Sequence, residues 1–193
     1  MLFVFLMQGF CPRPQVVIQS RIWGVSLILK SPSHTYVKPT MIDLQNKKIL
    51  LGVSGSIAAY KSPDLVRRLK DRGADVRVVL TASAAKLVSP AVFQAVSGES
   101  VRGDLWDEQA EAAMGHIELA KWADMVLIAP ATANVIAQLA NGNADSLLST
   151  LCLATESPIV IAPSMNQAMY RNDSTQANIN SCLLYTSPSP RDK

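Results

Sequence analysis

The chain has 193 residues, enough for one domain with its own core, and with 49% hydrophobic and 17% charged residues it is too apolar to be disordered as a whole. Its net charge of +3 comes from the ends: residues 1–40 hold Arg13, Arg21, Lys30 and Lys38 and no acid, and Arg191, Asp192 and Lys193 add one positive charge. Removing those five charges from +3 leaves −2 for the remainder, so the central segment lacks the basic stripe of a nucleic-acid binder.

Residues 1–40 contain a short apolar run at 2–7 with no basic residue before it. That is neither a secretory signal, which needs a charged start, nor a membrane span of ~20 apolar residues. Scarce acids and scattered Arg, Lys and Ser also fit a weak transit peptide. The reading adopted is translation upstream of the true start, with Met41 as initiator and residues 41–180 as the domain.

Apolar runs at residues 48–53, 76–80, 125–129 and 159–162 show little alternation. Strands covered on both faces, as in parallel sheets, have this character. Between the first two, Ser62 is placed to cap a helix, Pro63 to occupy its first turn and Gly73 to end it, with Leu65, Val66 and Leu69 turned inward. Residues 57–60 form an earlier helical turn, kinked at Pro63. Further helices are expected from Ser89-Pro90 through Val96, ended by Gly98, and over residues 116–123, 134–140 and 145–155. Strands alternating with helices give βαβ units with right-handed crossovers. The expected fold is α/β, a doubly wound parallel sheet in a flavodoxin-like or Rossmann-like three-layer sandwich.

Cys11, Cys152 and Cys182 form no disulfide framework and no metal-ligand spacing. A reducing, cytoplasmic setting fits that usage. Cys152, within an apolar helix, reads as a buried inert thiol rather than a nucleophile. Residues 182–192 continue no earlier pattern and resemble one reading frame of a sequencing-library adapter. Residues 181–193 are therefore expected to be an artefactual tail.

Four loops carry possible chemistry. Residues 52–56, Gly-Val-Ser-Gly-Ser, follow the first strand, where small residues let backbone N–H groups approach a phosphate; a tight turn without a ligand has the same form. Thr81 and Ser83 follow the second strand, and Thr132 and Asn134 the third. The hydroxyls of Thr81 and Ser83 suit a phosphate contact or a helix cap, and Thr132 or Asn134 a helix cap. After the fourth strand comes Pro163-Ser164-Met165-Asn166-Gln167-Ala168-Met169-Tyr170. The Asn166 amide is both donor and acceptor, fit to hold a carboxylate or to make an Asn turn. His116 is the one histidine of the central segment. Imidazoles exchange protons near neutrality, although a lone histidine also serves structurally. Glu118 and Lys121 read as solvated, and Trp122 as core.

Taken together and in this order, residues 52–56, Gly115-His116-Ile117-Glu118, Pro130-Ala131-Thr132-Ala133-Asn134 and residues 163–170 resemble the flavin-dependent cysteine decarboxylases, above all their phosphopantothenoylcysteine branch. The resemblance covers about residues 47–180. It implies FMN as cofactor, bound through Gly55, Ser56, Ile57, Thr81, Ser83, Thr132, Ala133, Asn134, Val135 and Ser164. It also implies His116 as the catalytic histidine, Asn166 as the holder of the substrate carboxylate, and no metal. The implied reaction converts 4′-phospho-N-pantothenoylcysteine to 4′-phosphopantetheine in coenzyme A biosynthesis. In bacteria this activity stands in front of a CTP-dependent ligase, and the enzyme is a homo-oligomer built of trimers, with no nucleic acid or membrane partner. The family's proton-donating cysteine lies downstream of the Asn motif, beyond residue 180. A chain ending there is expected to decarboxylate oxidatively and stall at the ene-thiol. Three rivals use the same residues differently: a peptidyl-cysteine decarboxylase of the same family, a non-catalytic FMN-binding regulatory homologue, and a Rossmann NAD-binding protein. The first loop lacks the third glycine that the last requires.

Overall fold

The computed structural model describes residues 16–18, 44–103 and 115–184. Met41, most of the leader and the tail beyond residue 184 lie outside them. Strands β1 (Val16–Ile18), β2 (Lys48–Val53), β3 (Asp75–Leu80), β4 (Met125–Ala131) and β5 (Ile159–Pro163) form one sheet. Its order is β1-β5-β4-β2-β3, and every pairing is parallel. The four expected strands are all present, three of them one or two residues longer than the apolar runs. β1 was not expected, since it lies in the segment read as a leader; it pairs Val16–Ile18 with Ile159–Ile161 of β5.

The helices are α1 (Ser62–Lys70), α2 (Ala82–Ala85), α3 (Pro90–Ser97), α4 (His116–Trp122), α5 (Ala133–Asn141), α6 (Leu147–Ala154), α7 (Gln167–Arg171) and α8 (Asp173–Leu184). A 3-10 turn, Ile57–Lys61, runs directly into α1. Successive strand residues point to opposite faces, which divides the core into two layers. Ile49, Leu51, Val53, Val76, Val78, Leu80 and Leu127 meet α1 and α3 through Leu65, Val66, Leu69 and Phe93. Leu50, Val79, Val126, Ile128 and Ile161 meet α4, α5, α6 and α8. The expected three-layer sandwich is the fold observed.

Three local details add to these expectations. Ser62 does not cap α1; it begins the helix, buried, and its hydroxyl donates to the Ala129 carbonyl at 2.9 Å. The turn before it already supplies helical carbonyls, so no cap is needed and the hydroxyl is free to tie α1 to β4. Trp122 packs against the core as expected, half-buried, with the Arg77 guanidinium 4.4 Å from its ring centroid, a cation–π contact typically worth about 0.5–1 kcal/mol. Finally, α8 runs through residue 180, the expected domain boundary. Cys182, 2% exposed, donates its thiol to the Ile136 carbonyl at 3.7 Å.

Cys152 is buried, as expected, and burial pushes its thiol from 9.0 up to about 12, with Cys182 adding to the shift. The folded state thus favours the neutral thiol more than the unfolded chain does. That stability is whole below about pH 9 and is lost as pH climbs toward 12. Denaturant midpoints should fall from pH 9 to 11, and Cys152→Ala should flatten that slope; an identical slope in the variant would contradict the assignment.

Gly52 faces the α6 layer, where an added Cβ would stand 2.5 Å from Leu148 Cδ1. Leu148 is fully buried and cannot swing away freely. Gly52→Ala is expected to cost about 1–3 kcal/mol by overpacking. Leu148→Val in the same chain should recover part of that in urea unfolding, and strictly additive losses would show that the two sites do not touch.

Candidate active site

Because all strands are parallel, the loops after β2, β3, β4 and β5 share the C-terminal edge of the sheet. Every expected cofactor residue, and Asn166, falls in or directly after one of these loops. β2 lies between β3 and β4, so the chain leaves it on one side and later returns on the other. That reversal is the switch point at which open α/β sheets bind ligands.

The structure brings the loops into contact. Gly55 lies against the loop after β3: a Cβ there would be 2.4 Å from Ser83 Cβ and 3.2 Å from the Ser83 carbonyl carbon. Only a residue without a side chain permits this approach. Ser56 and Ser164, 108 positions apart in sequence, share a hydroxyl hydrogen bond of 2.9 Å. Ser54 joins the loops after β2 and β4: its hydroxyl donates to the Pro130 carbonyl at 2.8 Å and accepts from the Thr132 N–H at 2.9 Å. Ser54 was read only as part of the small-residue loop. Its partners are 76 and 78 residues away, and nothing local signals them.

Several of these side chains also cap helices. Ser56 accepts from Ala58 N at 3.4 Å, Thr81 from Ala84 N at 3.3 Å, and Thr132 from Val135 N at 3.4 Å. Asn166 Oδ1 accepts from Ala168 N at 2.7 Å and caps α7. The capping alternatives raised for Thr81 and Thr132 are therefore realised, and the cap made by Asn166 stands where an Asn turn was the alternative. Asn134 lies inside α5 rather than at its cap, exposed, while Val135 is buried in the core. Ile57, at the start of the 3-10 turn, is 86% exposed.

His116 begins α4, capped by Gly115, and is partly exposed. α4 leads into the N-terminal end of β4, and His116 stands at the far end of that helix. Glu118 and Lys121 are exposed, as expected. No group of three or more His, Cys, Asp or Glu is placed to hold a metal among the described residues. Among the same residues, no helix is long and apolar enough to cross a membrane.

The loops gather small hydroxyls and the N-terminus of α5 at one edge of the sheet, with Gly55 letting the loops after β2 and β3 close on each other. A phosphate-bearing planar cofactor fits that donor set.

Comparison with known proteins accords with this geometry. The chain is 59% identical over 138 residues to the coenzyme A biosynthesis bifunctional protein CoaBC of Escherichia coli K12, which covers 72% of this chain and 34% of that protein. It thus spans about a third of the length of the curated relatives it matches. Among solved structures, the FMN-dependent cysteine decarboxylase SpaF superposes with a TM-score of 0.66 at 37% identity, covering 72% of this chain and 79% of SpaF. A PPC decarboxylase complexed with pantothenoylaminoethenethiol superposes with a TM-score of 0.61 at 29% identity, covering 73% and 79%. The Flavoprotein family profile matches residues 38–183, and the chain belongs to that flavin-binding family.

Proposed function

We propose that this chain carries the FMN-dependent decarboxylation of 4′-phospho-N-pantothenoylcysteine on the way to 4′-phosphopantetheine, a step of coenzyme A biosynthesis, with the final reduction of the ene-thiol calling on the cysteine that the resemblance implies downstream. The observation that carries this reading is the 59% identity to a bifunctional coenzyme A biosynthesis protein. The same site residues would serve a decarboxylase of peptidyl cysteines, which substrate competition would separate.

FMN fits the site described. Its phosphate would meet the loop of Gly55, Ser56 and Ile57, the hydroxyls of Thr81 and Ser83, and the start of α5 at Thr132, Ala133, Asn134 and Val135. Ser164 would lie beside it through its bond to Ser56. When bound, FMN supplies the two-electron oxidation of the substrate's cysteine end that labilises the carboxylate, and the later return of those electrons. The remaining work falls to the chain itself. The helix cap engages Asn166 Oδ1, so the substrate carboxylate would be met by Nδ2, a donor. His116 would move a proton at the substrate thiol end. Assembly from trimers belongs to the same proposal, as does a cytoplasmic location. Ile57 and Tyr60, 86% and 65% exposed, offer an apolar surface for the subunit contact.

The test is direct. The chain reconstituted with FMN should show flavin absorbance near ~450 nm and release CO2 from 4′-phospho-N-pantothenoylcysteine. No release by flavin-loaded protein would overturn the proposal. Asn166→Asp keeps the cap, since Asp serves as well as Asn, but turns a donor into a like charge facing the carboxylate. It should lower kcat/KM at least 100-fold, about 2.7 kcal/mol, while flavin stays bound. His116→Asn should likewise retain flavin and lose turnover. Wild-type rates in either variant would remove that residue from the mechanism.

Gly55→Ala tests the cradle. The added methyl must push the loops after β2 and β3 apart, because part of its clash is with Ser83 backbone. FMN affinity is expected to fall at least tenfold, about 1.4 kcal/mol. Undiminished affinity, read by quenching of flavin fluorescence, would place the phosphate elsewhere.

A further inference from the structure

The backbone ladder between β2 and β4 runs from Ile49↔Met125 to Gly52↔Ile128 and then stops. Just beyond it, β4 also shifts register against β5, between Ile128 and Ala131. Toward the ligand edge β4 pairs with β5 again at Ala131↔Pro163, while its contact with β2 narrows to Ser54 against Pro130 and Thr132. Ser54 is 1% exposed, and its N–H and hydroxyl both donate to the Pro130 carbonyl, at 3.2 and 2.8 Å. The same hydroxyl accepts from the Thr132 N–H at 2.9 Å.

Each neighbour of this bond belongs to the candidate cradle. On one side Ser54 leads directly into Gly55, pressed against Ser83, and Ser56, bonded to Ser164. On the other side Thr132 caps α5 through its own hydroxyl. One buried hydroxyl thus links the glycine loop to the helix start across the crevice. We propose that Ser54 is a positioning residue of the flavin site, its hydroxyl setting the spacing between the Gly55–Ser56 loop and the N-terminus of α5. This rests on the reading of that crevice as the FMN site. Ser54 itself need not touch the cofactor, because it is 1% exposed and its one hydroxyl proton is taken by the Pro130 carbonyl.

A buried serine also contributes to stability wherever it lies, so the test needs a matched control. Ser62 is that control: it too is buried and its hydroxyl donates to the same strand at Ala129, but it bonds to neither loop. The full chain would be prepared as wild type, Ser54→Ala, Ser54→Cys and Ser62→Ala. FMN dissociation constants, the visible circular dichroism of bound flavin and the melting of each apoprotein would be measured. Ser54→Ala leaves the Thr132 N–H without its buried acceptor and should weaken FMN about tenfold, with altered flavin dichroism. Ser54→Cys preserves shape but has only a weak donor and acceptor, and should behave like the alanine variant. Ser62→Ala should melt lower yet hold FMN within about twofold of wild type. If the two alanine variants weaken FMN equally, or Ser54→Cys binds as wild type does, Ser54 is a packing residue and the proposal falls alone. A wild-type chain that takes up no FMN would overturn the site reading and this proposal together.

Discussion

The position of β2 between β3 and β4 is the constraint from which the site follows. A parallel ladder on each side of β2 forces the chain to cross the sheet on one side after β2 and to return on the other before β4. The loops that leave these two strands diverge, and beyond the bond from the Ser54 N–H to the Pro130 carbonyl the ladder between β2 and β4 goes no further. What closes the edge there is polar and buried: the Ser54 hydroxyl against Pro130 and Thr132. An unpaired polar group buried there would cost about 1–3 kcal/mol, so the crevice is held by contacts that are expensive to leave unmade. Apolar burial builds the sheet, and hydrogen bonding sets the geometry of its ligand edge.

Helix capping and phosphate contact, treated as competing uses of Thr81 and Thr132, are compatible in this arrangement. A capping hydroxyl receives a backbone N–H on an oxygen lone pair. Its own proton is not spent in doing so and remains a donor. The same division applies to Asn166, whose Oδ1 takes the cap while the substrate-binding role assigned to it calls on Nδ2. Capping fixes each side chain's rotamer in advance, so a ligand meets donors that have already lost their freedom. Preorganisation of this kind lowers the entropic cost of binding.

The sheet was legible because strands buried on both faces must be apolar throughout, and the runs at β2, β3, β4 and β5 satisfy that. Only β4 and β5 extend past the C-terminal ends of their runs, into Pro130 and Pro163, which lack an N–H for the ladder. Both lie at strand ends, Pro130 past the last pair with β2, where a donor is not needed. The short helices α2 and α7 have too few residues for a period to register. α8 does carry one, Thr175, Ile179 and Cys182 at spacings of four and three, all buried. A polar threonine at its head hides the stripe. The site residues were legible only as sets along the chain. The bonds that assemble them, Ser54 to Thr132 and Ser56 to Ser164, span 78 and 108 residues and leave no trace in local sequence.

α8 bears on the site as well as on the core. The Cys182 thiol donates to the Ile136 carbonyl of α5, and Ile179 and Leu183 join the same apolar layer as Val135 and Ile136. α5 is the helix whose first turn carries Thr132, Ala133 and Asn134. Its N-terminus is therefore pinned by Ser54 while its flank is braced by residues on both sides of position 180. A helix fixed at one end alone can still tilt about that end; one fixed at its end and along its side cannot. In this fold Cys182 is buried and Leu183 packs against the same layer, and the orientation of α5 depends on packing that extends past the last motif the sequence displays.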